Sequence, residues 1–73
     1  MARQFLDTTG MACPMPMLKL ARMMPSMKAG DLLEIVGDCK TFDTDLKKWC
    51  NEMGKMLVVV TRVDDGFRAE IQF

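Results

Sequence analysis

The sequence predicts a two-layer α/β sandwich of order β-α-β-α-β-β, with two helices on one face of a four-stranded mixed sheet. Three observations predict it. Glycine and proline at Gly10, Pro14, Pro16, Pro25, Gly30, Gly37, Gly54 and Gly66 punctuate the chain into six short elements. Two of these carry apolar residues at helical spacing, and four carry strand patterns. Two helices against four strands suffice to cover one sheet face, which is the economy of a two-layer fold.

The elements follow in order. Arg3 to Thr8 alternates well enough for a short strand, ended by Thr9-Gly10. Pro14 to about Met24 reads as a helix, because the fixed φ of Pro14 is pre-set for the first helical position and its missing N–H is not needed there. Leu18, Ala21 and Met24, joined by Met17, form the expected core stripe, with Lys19 and Arg22 off it. Pro25 should end or distort this helix, and Met27 can extend the stripe through an irregular turn. Asp31 to Gly37 is a buried strand, with Leu32, Leu33, Ile35 and Val36 branched and apolar. Thr41 suits the N-cap of a second helix running to about Met53. Phe42, Leu46, Trp49, Cys50 and Met53 fall at i, i+4, i+7, i+8 and i+11 on its apolar stripe, and Gly54 terminates it. Met56 to Val63 is the strongest strand signal. Asp65-Gly66 is the expected turn of a β-hairpin into Phe67 to Phe73, where Phe67, Ala69, Ile71 and Phe73 alternate.

Composition narrows the function. The 73 residues make one domain, 1–73, burying roughly 60% of its unfolded surface, too little to enclose a large cofactor. Ten Lys plus Arg balance ten Asp plus Glu, against the basic excess of a nucleic-acid binder, and 49% hydrophobic content argues against disorder. There is no His, so no imidazole base, dyad or metal ligand. Three cysteines are the conspicuous reactive groups, and an odd count is not a disulfide framework. The amino-terminal residues carry no apolar leader, and the apolar run Met56 to Val60 is too short to span a bilayer. The expectation is a cytoplasmic monomer with reduced thiols, no cofactor, no metal and no membrane or direct nucleic-acid partner.

Chemistry concentrates in Gly10-Met11-Ala12-Cys13-Pro14-Met15-Pro16-Met17, between the first strand and the first helix. Cys13 directly precedes Pro14 and is the expected N-cap, where the positive end of the helix dipole lowers a thiol pKa and favours the nucleophile. Pro14 and Pro16 delete donors at the first and third helical positions, which makes a poor phosphate cradle but leaves a stiff ledge for one soft anion. The plain alternative is Cys13 as a small buried hydrophobe. Cys50, on the apolar stripe beside Trp49, is a core residue. Cys39, after Asp38 in the turn behind the second strand, reads as an exposed loop residue and as a possible second thiol. Met11 and Met15 flank Cys13 off the core stripe and suit an adaptable docking rim, with Lys19 and Arg22 beside them. Asp7, Asp38 and Asp45 can face the site, or act as caps and solvated charges.

Leu6-Asp7-Thr8-Thr9-Gly10-Met11-Ala12-Cys13-Pro14-Met15-Pro16 resembles the Leu-Asp-x-x-Gly-x-x-Cys-Pro-x-Pro signature of the TusA (SirA-like) family of sulfur carriers. Ala29-Gly30-Asp31-Leu32 resembles that family's second-strand entry, and the resemblance covers essentially the whole chain. It implies that Cys13 carries sulfane sulfur as a persulfide, with Gly10, Pro14 and Pro16 as motif support. It also implies a donor of cysteine desulfurase or rhodanese-like type and an acceptor of DsrE-like or other relay type, in tRNA thiolation, molybdenum-cofactor biosynthesis or sulfur oxidation. Such a protein is a carrier rather than a stand-alone catalyst. Cys39 and Lys40 depart from the family's usual acidic residue and proline, which adds a second thiol to the account.

Two other function classes compete. Gly10-Met11-x-Cys13 is similar to the loop of heavy-metal-associated copper(I) domains, and Cys13, Met11 and Met15 could supply soft ligands. However, Pro16 stands where that loop has its second Cys, and those domains run β-α-β-β-α-β. A regulatory interaction domain, with Cys13 only a structural cap, is the remaining alternative. Zinc is disfavoured because the cysteines form no Cys-x-x-Cys knuckle.

Overall fold

The computed structural model describes residues 3–12, 15–64 and 66–73. The strands are Arg3–Asp7 (β1), Leu32–Gly37 (β2), Met56–Val63 (β3) and Gly66–Gln72 (β4); the helices are Met15–Met23 (α1) and Phe42–Met53 (α2). The sheet order is β1-β2-β4-β3, with β1 parallel to β2 and both other pairings antiparallel. This is the expected mixed four-stranded sheet and two-layer sandwich. Side chains alternate across a strand, so Leu33 and Ile35 of β2 and Ala69 and Ile71 of β4 turn to one face. There they bury against Leu20 of α1 and Phe42, Leu46 and Trp49 of α2. Phe42 stacks on Phe67 with ring centroids 5.7 Å apart, and Trp49 tilts against Phe73 at 6.4 Å.

The first helix buries a different face from the expected one. Leu18 is 54% exposed, whereas Pro16 and Leu20 are buried and Met17, Met23, Met24 and Met27 pack against the core. The spacing 16, 20, 23/24, 27 is itself helical, and it places Arg22 close beside Leu18 on the solvent side. Pro25 breaks the α-helical ladder as expected. A 3₁₀ turn, Met24–Ser26, carries the chain past it, and the Ser26 hydroxyl donates to the Met23 carbonyl at 2.7 Å. Leu20→Ala is expected to cost about 2–5 kcal/mol and Leu18→Ala no more than about 0.5 kcal/mol, read as shifts in urea midpoint. Equal losses would return Leu18 to the core.

Further details correct the sequence reading. Met53 ends the α2 stripe exposed rather than buried. Thr41 holds the N-cap position of α2, but its hydroxyl makes no cap and donates instead to Asp45 Oδ2 at 2.8 Å. Gly54 ends α2 at φ 68°, the left-handed value expected of a terminator. β3 pairs only with β4 among the described strands, so its valine run is an edge, with Val58, Val59 and Val63 exposed. A register shift between Leu57 and Val59 interrupts that edge, as bulges do on strands that should not pair further. The hairpin turn lies one residue earlier than Asp65-Gly66. Val63 pairs with Gly66, and Asp64 takes φ 42°, the positive value a type I′ turn needs at its first position. Asp65 is outside the described residues. Gly66 opens β4, where a Cβ would lie 2.5 Å from the Gly37 carbonyl oxygen.

The opposite sheet face is held by charge. Glu34 of β2 accepts from Arg68 Nη2 at 2.8 Å and from Arg3 Nη2 at 3.1 Å, and Arg3 also reaches Glu70 at 2.8 Å. Hydrogen bonds from Arg68 first and Arg3 second pull the Glu34 carboxyl from 4.5 to about 2. A carboxyl depressed on folding stabilises above its unfolded value, and the benefit is lost as pH falls toward the folded one. The advantage of wild type over Glu34→Gln in urea midpoint should therefore be full at neutral pH and fade from about 4.5 down to about 2. An advantage that persists unchanged at the acid end would contradict this assignment.

Candidate functional site

Because β1 and β2 run parallel with Asp7 opposite Val36, the loops that leave them emerge side by side at one sheet edge. Backbone and side chains then stitch the loops together. The Thr8 amide and hydroxyl both donate to the Val36 carbonyl, at 2.8 and 2.6 Å, and the Gly10 amide donates to Asp38 Oδ1 at 3.0 Å. Gly10 has φ 85°, a conformation that favours glycine, and this lets the chain reverse into Met11, whose amide returns to the Thr8 carbonyl at 3.1 Å. The Lys19 ammonium of α1 donates to the Asp7 carbonyl at 3.1 Å, tying the helix to the same edge.

The sequence-predicted residues distribute as follows. Cys13 and Pro14 lie outside the described residues. Pro16 is buried under the first turn of α1, so it is a core residue as well as a motif residue. Met11, Met15, Lys19 and Arg22 are brought together around one open depression of about 280 Å³. Leu18 completes its lining, a residue that the sequence reading had assigned to the core. The signal that could have found it was Met15, Leu18, Lys19 and Arg22 recurring at helical spacing on one side. Met15 and Leu18 are both about half exposed, at 49% and 54%. The result is an apolar floor with two cations at its border.

The other candidates are tied into structure. Asp7 accepts from the Thr9 amide at 2.9 Å, and hydrogen bonds from Thr9 hold its carboxyl below the ordinary value. Asp38 accepts from Gly10, and Asp45 accepts from Thr41. Among the described residues, no group of three or more Cys, Asp or Glu could hold a metal ion, and no helix is long and apolar enough to cross a membrane.

The described cysteines differ sharply. Cys50 is a free thiol, 2% exposed in the core, and burial pushes its pKa from 9.0 to about 11. It is protonated at neutral pH and out of reach. Cys39 was expected in an exposed loop. It is only 5% exposed and is disulfide-bonded, with its sulfur 3.6 Å from the Thr41 hydroxyl.

A mixed four-stranded sheet covered by two helices, with a cation-bordered apolar depression on the first helix, defines a small two-layer α/β domain. The family model described as Sulfurtransferase TusA matches residues 4–73, and the chain belongs to that family. It is 32% identical to a Methanocaldococcus jannaschii protein named "Putative sulfur carrier protein", over 97% of this chain and 95% of the relative. It is 34% identical to "Sulfur carrier protein TusA" of Pseudomonas putida strain F1, over 73% of this chain and 66% of the relative. Its match to the Bacillus subtilis protein named "Putative sulfur carrier protein YrkF" is 43% identical, over 67% of this chain but only 26% of that longer protein.

Proposed function

We propose that this protein is a sulfur carrier that accepts sulfane sulfur on Cys13 as a persulfide and relays it to an acceptor protein. The observation that carries the reading is membership of the sulfurtransferase TusA family across residues 4–73. Within the chain, the burial of Cys50 supports Cys13 as the carrier, since a thiol pushed to about 11 supplies almost no thiolate at neutral pH. The sequence position of Cys13 between β1 and α1, two residues from each of Met11 and Met15, which line the depression with Leu18, Lys19 and Arg22, supports it further.

In the loading step the Cys13 thiolate attacks the terminal sulfur of a donor persulfide. The donor's S–S bond breaks, the donor leaves as a thiolate, and Cys13 becomes Cys13–S–SH. In unloading, an acceptor thiolate attacks that terminal sulfur and Cys13 departs as a thiolate. Neither step needs a cofactor or a side-chain base. The chain's contribution is access and charge: methionine adapts to differently shaped partners, and Lys19 and Arg22 favour approach of an anionic persulfide or an acidic partner surface. The donor is of cysteine desulfurase or rhodanese-like type, the acceptor of DsrE-like or related type. The acceptor decides whether the sulfur enters tRNA thiolation, molybdenum-cofactor biosynthesis or sulfur oxidation. Because the relay runs on reduced thiols, this reading places the protein in the cytoplasm.

Intact mass after incubation with a persulfide donor tests the reading. Wild type gains one sulfur and Cys13→Ser gains none. A Cys13→Ser chain that loads as fully as wild type would move the site elsewhere.

A further inference from the structure

The two edges of the sheet are finished differently. β1 begins at Arg3 and ends at Asp7, and the Lys19 ammonium takes the Asp7 carbonyl at 3.1 Å. Charged side chains of this kind blunt an edge against further pairing. β3, at the opposite edge, is the longest strand. It carries no charged side chain from Met56 to Thr61, and Val59, Thr61 and Val63 lie exposed along it.

The register of β3 shows which of its backbone groups are free to pair. A two-residue turn closes on a hydrogen-bonded pair, here Val63 with Gly66. Thr61 with Arg68 and Val59 with Glu70 continue that alternation. Val60 and Arg62 therefore turn their amides and carbonyls away from β4. The bulge between Leu57 and Val59 bounds this regular stretch to residues 59–63. Its sequence is Val-Val-Thr-Arg-Val, and the exposed row Val59, Thr61, Val63 reads the same in both directions.

We propose that residues 59–63 of β3 pair antiparallel with the same segment of a second copy, across a two-fold axis at Thr61. Such an interface asks one surface to match itself, and a palindromic row of side chains does so. Val59 lies opposite Val63 of the second copy, Val60 opposite Arg62, and the two copies of Thr61 face one another. Val60 and Arg62 exchange backbone bonds in both directions. The two threonines meet at a non-hydrogen-bonded pair, where side chains approach most closely and threonine pairs are favourable. Like charges stay off the axis. Each Arg62 faces a valine, and its guanidinium is held over the Phe67 ring of its own chain, 5.8 Å from the centroid. The joined sheet ends on a charged β1 edge at each side, so growth stops at the dimer. The loops that leave β1 emerge at those outer edges and stay open to other proteins. A ladder this short buries less than an obligate interface, so the dimer is concentration-dependent. The inference does not rest on the carrier reading.

Analytical ultracentrifugation of the full reduced chain, from about 10 μM to about 1 mM, tests it. Wild type should shift from monomer toward dimer as concentration rises. Thr61→Lys sets two ammonium groups on the axis and should weaken association by about tenfold or more. Val59→Lys, beside it, should act in the same direction. Both positions are exposed, so the urea midpoints at low concentration should stay near wild type. Thr61→Cys, oxidised gently in a glutathione buffer, should form a covalent dimer joined at the two substituted positions, because a non-hydrogen-bonded pair brings Cα atoms within about 4.5 Å. Phe5→Cys, on the β1 edge, should not. A wild type that stays monomeric throughout overturns the proposal and leaves the edge to an extended segment of a different protein. A dimer that both folded lysine variants leave intact also overturns it, since association then uses another surface. Should the lysine variants unfold, Thr61→Cys decides, and the absence of the covalent dimer overturns the proposal.

Discussion

Gly37→Ala should lower the stability of the chain by about 1–3 kcal/mol, the ordinary cost of forcing a methyl group into a filled core. A Cβ at this position would lie 2.5 Å from Thr8 Oγ1 and 2.8 Å from Cδ2 and Cε2 of Phe42. Neither neighbour can yield cheaply. Thr8 is held by its amide and hydroxyl to the Val36 carbonyl, and Phe42 is fully buried and stacked on Phe67. A 73-residue domain holds roughly 4–11 kcal/mol in total, so the loss is a large fraction of it. Displacing Thr8 would also disturb the turn that places Gly10 against Asp38. The urea midpoint measures the effect, and a midpoint equal to wild type would show that the close packing of the two loops is not what Gly37 is there for.

Phe42→Ala should cost more, about 3–5 kcal/mol. Phe42 opens α2, is fully buried, and joins that helix to β4 through its ring contact with Phe67. Its amide also donates to the Cys39 carbonyl at 3.0 Å, so the same residue anchors the loop carrying the second sulfur. Phe42→Leu, which refills most of the volume, should recover a substantial part of the loss. A Phe42→Ala protein whose thermal and urea transitions match wild type would contradict the assignment of Phe42 to the centre of the core.

The six-element order was legible because punctuation and period agree along most of the chain. Gly54 ends α2 where the helical stripe ends, and the alternation of Ala69 and Ile71 selects the buried face of β4. The face of α1 was not legible from apolar residues alone, since a methionine-rich helix offers two apolar stripes. Arg22, about 40° around the helix from Leu18, was the charge signal that Leu18 faces solvent. Pro16 was read as punctuation and is also packing. The valines of β3 spell a strand but not whether it is central, because edge position depends on sheet order rather than on local sequence.

The candidate site was legible in part. Met11, Met15, Lys19 and Arg22 could be grouped from position beside Cys13, and they do line one depression. Leu18 was missed for the reason just given. The burial of Cys39 was invisible in Gly37-Asp38-Cys39-Lys40, a polar stretch by composition. It arises from long-range closure: the parallel pairing of β1 with β2, the Gly10–Asp38 tie and the docking of α2 through Phe42.

The most direct test of the carrier account follows the sulfur through a full cycle. The reduced protein is loaded from a persulfide donor, separated from it, and mixed with a reduced acceptor protein, with cysteine peptides of both mapped over time. The account predicts one extra sulfur on the Cys13 peptide after loading, its loss on mixing, and its matching appearance on an acceptor cysteine, with Cys13→Ser inert throughout. Sulfur carried and delivered by Cys13→Ser, or a Cys13 peptide that never gains sulfur, would contradict it.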